Sequence, residues 1–165
     1  MLVLITGGSG SGKSEFAENL TVSLGGDRTY IATMENQSED AAKRIEKHKK
    51  QRSSKGFKTV ECFSDVDKPD ISGTAILECL TNLLANEMFS EKEENPVSKI
   101  QRGISALLSR CENLVIVTDD IFSGGLDYDE TTLEYIKNMG ALNCLVAEKA
   151  DEVYEVSCGI ANKIK

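Results

Sequence analysis

The chain has 165 residues, 40% of them hydrophobic and 28% charged, with a formal net charge of −8. That length and composition suit one soluble domain with a real core. The acidic balance speaks against a general affinity for nucleic acid or anionic membrane, so any phosphate ligand must be held by a local basic cluster.

The apolar run Leu2-Val3-Leu4-Ile5 reads as a buried strand over Leu2–Thr6. Gly7-Gly8-Ser9-Gly10-Ser11-Gly12-Lys13-Ser14 follows, matching Gly-x-x-x-x-Gly-Lys-Ser/Thr. A strand, a glycine loop and a lysine opening a helix form the geometry that cradles a nucleoside triphosphate. The glycines let backbone N–H groups converge on phosphate oxygens. Lys13 would reach the β- and γ-phosphates, and the Ser14 hydroxyl would hold Mg²⁺.

Lys13–Leu24 reads as a helix with Phe16, Leu20 and Leu24 on one face at four-residue spacing, stopped by Gly25-Gly26-Asp27. Thr29–Thr33 reads as a strand, and Glu39–Lys50 as a charged helix turning Ala42 and Ile45 inward. Phe57–Cys62 and Ala75–Glu78 read as strands, and Leu80–Phe89 as a helix. Ser90–Asn95 is an acidic loop, and Pro96 opens a helix to about Cys111. Asn113–Thr118 is a buried strand. Asp127–Asp129 is a loop, followed by a helix over Glu130–Lys149 with a flaw at Gly140. Glu152–Ser157 reads as the last strand.

Alternating strands and helices with continuous apolar strands predict an α/β domain over residues 1–165. The expected form is a P-loop NTPase of the RecA-like kind, with a mostly parallel sheet and helices on both faces. Functional groups should gather at the carboxyl ends of the strands. Those ends carry Thr6-Gly7, Ala32-Thr33, Glu78-Cys79 and Thr118-Asp119-Asp120. Glu78 stands where a metal-orienting acid belongs and is the second expected Mg²⁺ residue.

No run approaches a membrane span, and Leu2–Ile5 lacks the basic start of a signal peptide, so the expected compartment is the cytoplasm. Five cysteines with no Cys-x-x-Cys pair point to reduced, mostly buried thiols.

His48 is the only histidine and lies in Lys47-His48-Lys49-Lys50-Gln51-Arg52. By pattern alone this is a solvated basic helix end. Further motifs change that reading. Arg44-Ile45 precedes His48-Lys49 and Arg52, Thr59-Val60-Glu61 follows, and Leu77-Glu78-Cys79-Leu80-Thr81 comes next. Asn86, Val117-Thr118, Ala150-Asp151-Glu152-Val153 and the ending Gly159…Lys163-Ile164-Lys165 complete the set. With the P-loop and Tyr30-Ile31-Ala32-Thr33, the chain resembles, nearly end to end, the bifunctional adenosylcobinamide kinase / adenosylcobinamide-phosphate guanylyltransferase family.

The resemblance implies two reactions. Adenosylcobinamide is phosphorylated on its aminopropanol hydroxyl by ATP or GTP, and GMP then passes from GTP to that phosphate. It implies GMP bonded to His48 on the way, with Lys13 serving the phosphates. A neutral imidazole can attack an α-phosphorus, and neighbouring cations disfavour the imidazolium. Lys49, Lys50, Gln51 and Arg52 would gather the triphosphate. Ala32, Thr33 and Met34 match a nucleotide-contacting strand end, and Glu61 a glutamate that favours guanine. A homo-oligomer follows too, with a trimer as the expected form. The pattern departs from the family at Asp119-Asp120-Ile121-Phe122-Ser123-Gly124-Gly125, where Asn-Glu-Val-Gly is usual. It departs again at Ala141-Leu142-Asn143-Cys144 and at Ser53. Two other readings share the P-loop: a relative with one reaction or another acceptor, and a regulatory nucleotide-binding module. A module has no need of His48.

Overall fold

A computed structural model describes residues 1–36, 38–90, 95–122 and 127–165. Two parts of the sequence reading fall partly outside them: the Ser90–Asn95 loop, and the run from Asp119 to Gly125 at Ser123-Gly124-Gly125. In chain order the elements are β1 (Leu2–Thr6), α1 (Lys13–Leu24), β2 (Arg28–Ala32), α2 (Glu39–Arg52), β3 (Phe57–Glu61) and β4 (Thr74–Leu77). After these come α3 (Leu80–Met88), α4 (Pro96–Leu108), β5 (Asn113–Val117), α5 (Glu130–Lys149), β6 (Glu152–Ser157) and β7 (Ile160–Lys163).

The strands make one sheet in the order β3-β2-β4-β5-β1-β6-β7. All pairs are parallel except β6 with β7. In β1 and β5 nearly every residue is buried, because helices cover both faces. Alternate residues feed two cores. Leu2, Leu4, Leu114 and Ile116 join α3, α4 and α5 on one face, where Leu83, Leu84, Ile104 and Leu142 are buried. Val3, Ile5, Val115 and Val117 face the other core with Ala17 of α1.

The helices begin where the sequence supplies caps. Ser38 accepts from the Ala41 amide, Asn95 from Ser98 with Pro96 behind it, and Asp129 from Thr132. Helix α2 carries Glu39 and Asp40 in its first turn and Lys49, Lys50 and Arg52 in its last, both matched to the helix dipole.

Several expectations need correction. The apolar face of α1, Phe16, Leu20 and Leu24, does pack against the second core, but half-buried, and the fully buried residues beside it are Ala17, Glu18 and Thr21. Ala42 and Ile45 of α2 are half-buried as well, and Arg52 is its sole buried residue. Helix α5 runs through Gly140 without a break; the Phe122 ring lies over that glycine at 3.6 Å from where a Cβ would stand. Glu152–Ser157 is not the last strand. Cys158 and Gly159, both at positive φ, turn the chain into β7 as a two-residue hairpin. All five cysteines are free, but Cys144 and Cys158 are exposed rather than buried.

Candidate active site

The carboxyl edge of the sheet gathers the loops that follow β1, β2, β4 and β5. The P-loop follows β1 and is clamped from two sides. The Asp120 amide donates to the Gly7 carbonyl at 3.0 Å, and the Gly159 amide donates to the Ser11 carbonyl at 2.8 Å. A Cβ on Gly7 would stand 2.4 Å from the Val156 carbonyl oxygen, so only glycine allows β6 this close. Gly12 caps α1 at φ 94°, a conformation that L side chains rarely adopt. Gly8, Ser9 and Gly10 are exposed. With Thr6, Gly7 and Ser11 they line a cleft of ≈ 680 Å³, closed on the far side by Asp120, Phe122, Glu155, Cys158 and Ile164.

Lys13 is buried, and Ser14 beside it is half-buried. The Lys13 ammonium donates to the Gly8 carbonyl at 3.1 Å and pairs with Asp119 at 2.6 Å. Asp119 also accepts from the Thr81 hydroxyl at 2.9 Å and from the Cys79 thiol at 3.6 Å. Burial alone would push its carboxyl up, but Lys13, Thr81 and Cys79 outweigh that and hold it below the usual range. Burial pushes the Cys79 thiol up to about 11, so it stays protonated and acts as a donor.

The network continues away from the P-loop. Cys79 shares a hydrogen bond with Thr81 at 2.8 Å, and its carbonyl accepts from the Thr33 hydroxyl at 3.0 Å. Glu78 accepts from the Thr33 amide at 3.3 Å and from the buried Tyr30 hydroxyl. Asn86 ties the Thr33 carbonyl to that of Phe63, both at 2.9 Å. A connected polar chain therefore runs from the end of β2 to the P-loop lysine. Glu78 lies one strand farther from β1 than Asp119 does. Its bonds point toward β2, and its charge toward His48.

A second, narrow cleft is lined by Ala32, Met34, Lys49, Thr59, Glu61 and Glu78, together with Ile45 and Arg52. Exposed Glu61 ends β3 here, aligned with Ala32 of β2. Arg52 is engaged within the fold as well as lining this cleft. Its guanidinium lies 3.9 Å from the Tyr30 ring centre and donates to the Thr59 hydroxyl, so it anchors α2 to the sheet. Lys50 is exposed and pairs with Glu46 at 3.5 Å. Gln51 donates to Glu18 of α1 at 3.1 Å.

His48 is half-buried on α2, one turn before Arg52. Burial lowers its pKa first of all, and Arg52 and Arg44 add to that, while Glu78 and Glu18 oppose them. The imidazole is thus biased to the neutral form by burial first, with Arg52 and Arg44 as the cations that add to it. Its Nδ1 is buried without a partner, and so is the Ser11 hydroxyl under the P-loop. Glu18 is fully buried, with Lys55 on one oxygen at 2.8 Å.

The oxygen donors beside the P-loop suit a hard cation. Among the described residues no three His, Cys, Asp or Glu side chains cluster as a protein-only cage. Mg²⁺ does not ask for one, because it keeps waters and takes one or two protein oxygens plus substrate phosphates. Asp119 and Glu18 had no role in the sequence reading. Asp119 carried a signal in its place at a strand end; Glu18 carried none, since its partners lie 33 and 37 residues away.

A family model described as cobinamide kinase / cobinamide phosphate guanyltransferase matches residues 3–164. The chain belongs to that family. It is 31% identical over 186 aligned residues to the bifunctional adenosylcobalamin biosynthesis protein CobU of Salmonella typhimurium, over the full length of both. The CobU of Escherichia coli matches at the same identity and coverage. The corresponding CobP protein of Pseudomonas aeruginosa is 23% identical, over 98% of this chain and 96% of its own. Among solved structures, a KaiC-like protein from Pyrococcus horikoshii shares the fold at a TM-score of 0.51 and 16% identity, covering 93% of this chain and 71% of its own. In this cobinamide kinase family member the P-loop lines one cleft of the sheet edge, and Ile45, Lys49 and Arg52 of the His48 helix line another, with the Thr33–Cys79–Asp119 chain between them. No helix among the described residues is long and apolar enough to cross a membrane.

Proposed function

We propose that this chain performs both reactions of its family. It phosphorylates adenosylcobinamide with ATP or GTP, and then moves GMP from GTP to adenosylcobinamide phosphate through GMP held on His48. The observation that carries the second step is the state of His48, an imidazole kept neutral by burial on a helix tied to α1 through Gln51 and Glu18.

In the first reaction the P-loop amides and Lys13 hold the triphosphate. The cobinamide hydroxyl attacks the γ-phosphorus, the bond to the β-phosphate oxygen breaks, and the nucleoside diphosphate leaves. In the second, a neutral nitrogen of His48 attacks the α-phosphorus of GTP. A P–N bond forms, the bond to the β-phosphate oxygen breaks, and pyrophosphate leaves. The phosphate oxygen of the corrinoid then attacks the same phosphorus and releases His48. Ser14 and a strand-end carboxylate, Glu78 in the first instance, would hold Mg²⁺, which offsets phosphate charge when bound. Ala32, Thr33, Met34 and Lys49 would border the guanosine, with Glu61 accepting from the guanine N–H groups. The 680 Å³ cleft is wide enough to admit part of a large acceptor beside the P-loop. The active form is a homo-oligomer in the cytoplasm.

Incubation with GTP labelled on its α-phosphate tests the second reaction. The label should pass to protein without acceptor, and to a corrinoid product when cobinamide phosphate is added. Label that never reaches the protein, with product still forming, would mean direct transfer.

A further inference from the structure

Asp119 has no part in the chemistry above, yet it holds the cation on which that chemistry depends. It follows β5, the strand paired with β1, and one carboxylate oxygen sits 2.6 Å from the Lys13 ammonium. The other accepts from Thr81 of α3 at 2.9 Å, with the Cys79 thiol at 3.6 Å. The next residue, Asp120, bonds the P-loop backbone at Gly7. The carboxylate is therefore braced from two elements and aimed at Lys13, whose side chain is only 10% exposed.

A triphosphate seeks the same ammonium. If Lys13 turns to the phosphates, Asp119, half-buried, loses its main counter-ion and faces several new negative charges. Both effects oppose binding. A divalent cation on the phosphates removes the penalty, since it cancels their charge and offers Asp119 a new partner, directly or through a coordinated water. We infer that Asp119 makes this P-loop select the metal-loaded triphosphate over the bare anion, by holding Lys13 until a divalent cation arrives with the nucleotide. The inference rests on the P-loop being the triphosphate site.

Calorimetric titration of the full chain with GTP, once in EDTA and once in Mg²⁺, tests it. The variants are Asp119→Asn, isosteric and neutral, and Asp119→Ser, smaller and neutral. Their urea midpoints identify which of them is folded. Wild type should prefer the Mg²⁺ form by more than about tenfold, the scale of one lost charge pair. In either folded variant the bare nucleotide should bind more tightly, and the preference should fall by roughly tenfold. Inorganic tripolyphosphate should repeat the pattern, since the effect concerns the phosphates alone. An unchanged preference in the variants overturns the inference and makes Asp119 a brace for Lys13. Wild type that binds GTP under neither condition overturns the P-loop reading itself.

Discussion

Lys13 both awaits a phosphate and neutralises Asp119, and its loss should be felt twice. Lys13→Ala should abolish measurable GTP binding by calorimetry. It should also lower stability in urea by roughly 1–3 kcal/mol, less than for a fully buried pair because the Asp119 side chain keeps 28% of its surface exposed. Nucleotide binding equal to wild type would remove Lys13 from the site. The role of Lys13 was legible, since the loop pattern fixes it by spacing. Its partner was not, because residues 13 and 119 meet only through the pairing of β1 with β5. His48 gives a second prediction at this scale. Its folded pKa lies below the ordinary 6.5, first through burial. The acid limb of guanylyl-enzyme formation should therefore fall below pH 6.5. The linkage has a definite sign. The unfolded imidazole takes its proton near its ordinary value while the folded one stays neutral, so this group's contribution to stability is complete above that value. It is lost as the pH falls from there toward the folded pKa. A pH–rate profile with an acid limb at or above 6.5 would mean that the nucleophile is not this buried imidazole.

Among the elements, the hairpin of β6 and β7 decides how the P-loop is held. Its close approach to Gly7 leaves no room for a side chain: a Cβ there would meet the Val156 carbonyl, which is backbone, and the Ser11 hydroxyl. Gly7→Ala should cost about 1–3 kcal/mol of stability, the usual scale of overpacking, and should weaken nucleotide binding. Thermal melting with and without GTP reads both effects. A variant with the wild-type melting temperature would show that the loop tolerates a displaced β6. Sequence reading found every helix and six strands, since their apolar runs and caps are local signals. It missed β7, although Cys158-Gly159 is a hairpin dipeptide, because Ile160–Lys163 is too polar to read as a strand: three of its four residues are exposed. It found the apolar face of α1 but not the burial of Glu18 beside it, which rests on pairing with Lys55 and Gln51, and such a pairing leaves no trace in hydrophobic spacing. It did not reach the stacking of Arg52 on Tyr30, which depends on β2 passing beneath α2, and no local pattern reveals that.

For the whole molecule, the candidate site residues border two clefts on one sheet edge. The P-loop cleft adjoins β6 and β7, and the His48 helix covers the β2–β3 side. The apolar side chains Phe89, Leu133, Ile160 and Ile164 are exposed, and Ile164 borders the larger cleft; the proposed homo-oligomer would cover some of them. Sedimentation should show more than one subunit, and Ile160→Asp should shift the distribution toward monomer. A wild type that sediments as a monomer at micromolar concentration would contradict this.

The central claim is the covalent passage of GMP through His48, and intact-mass analysis after incubation with GTP and Mg²⁺ tests it most directly. Wild type should gain the mass of one GMP, on a bond labile to acid and stable to base, and His48→Ala should gain nothing while still binding GTP. No adduct on wild type, or an adduct that persists in His48→Ala, would contradict it.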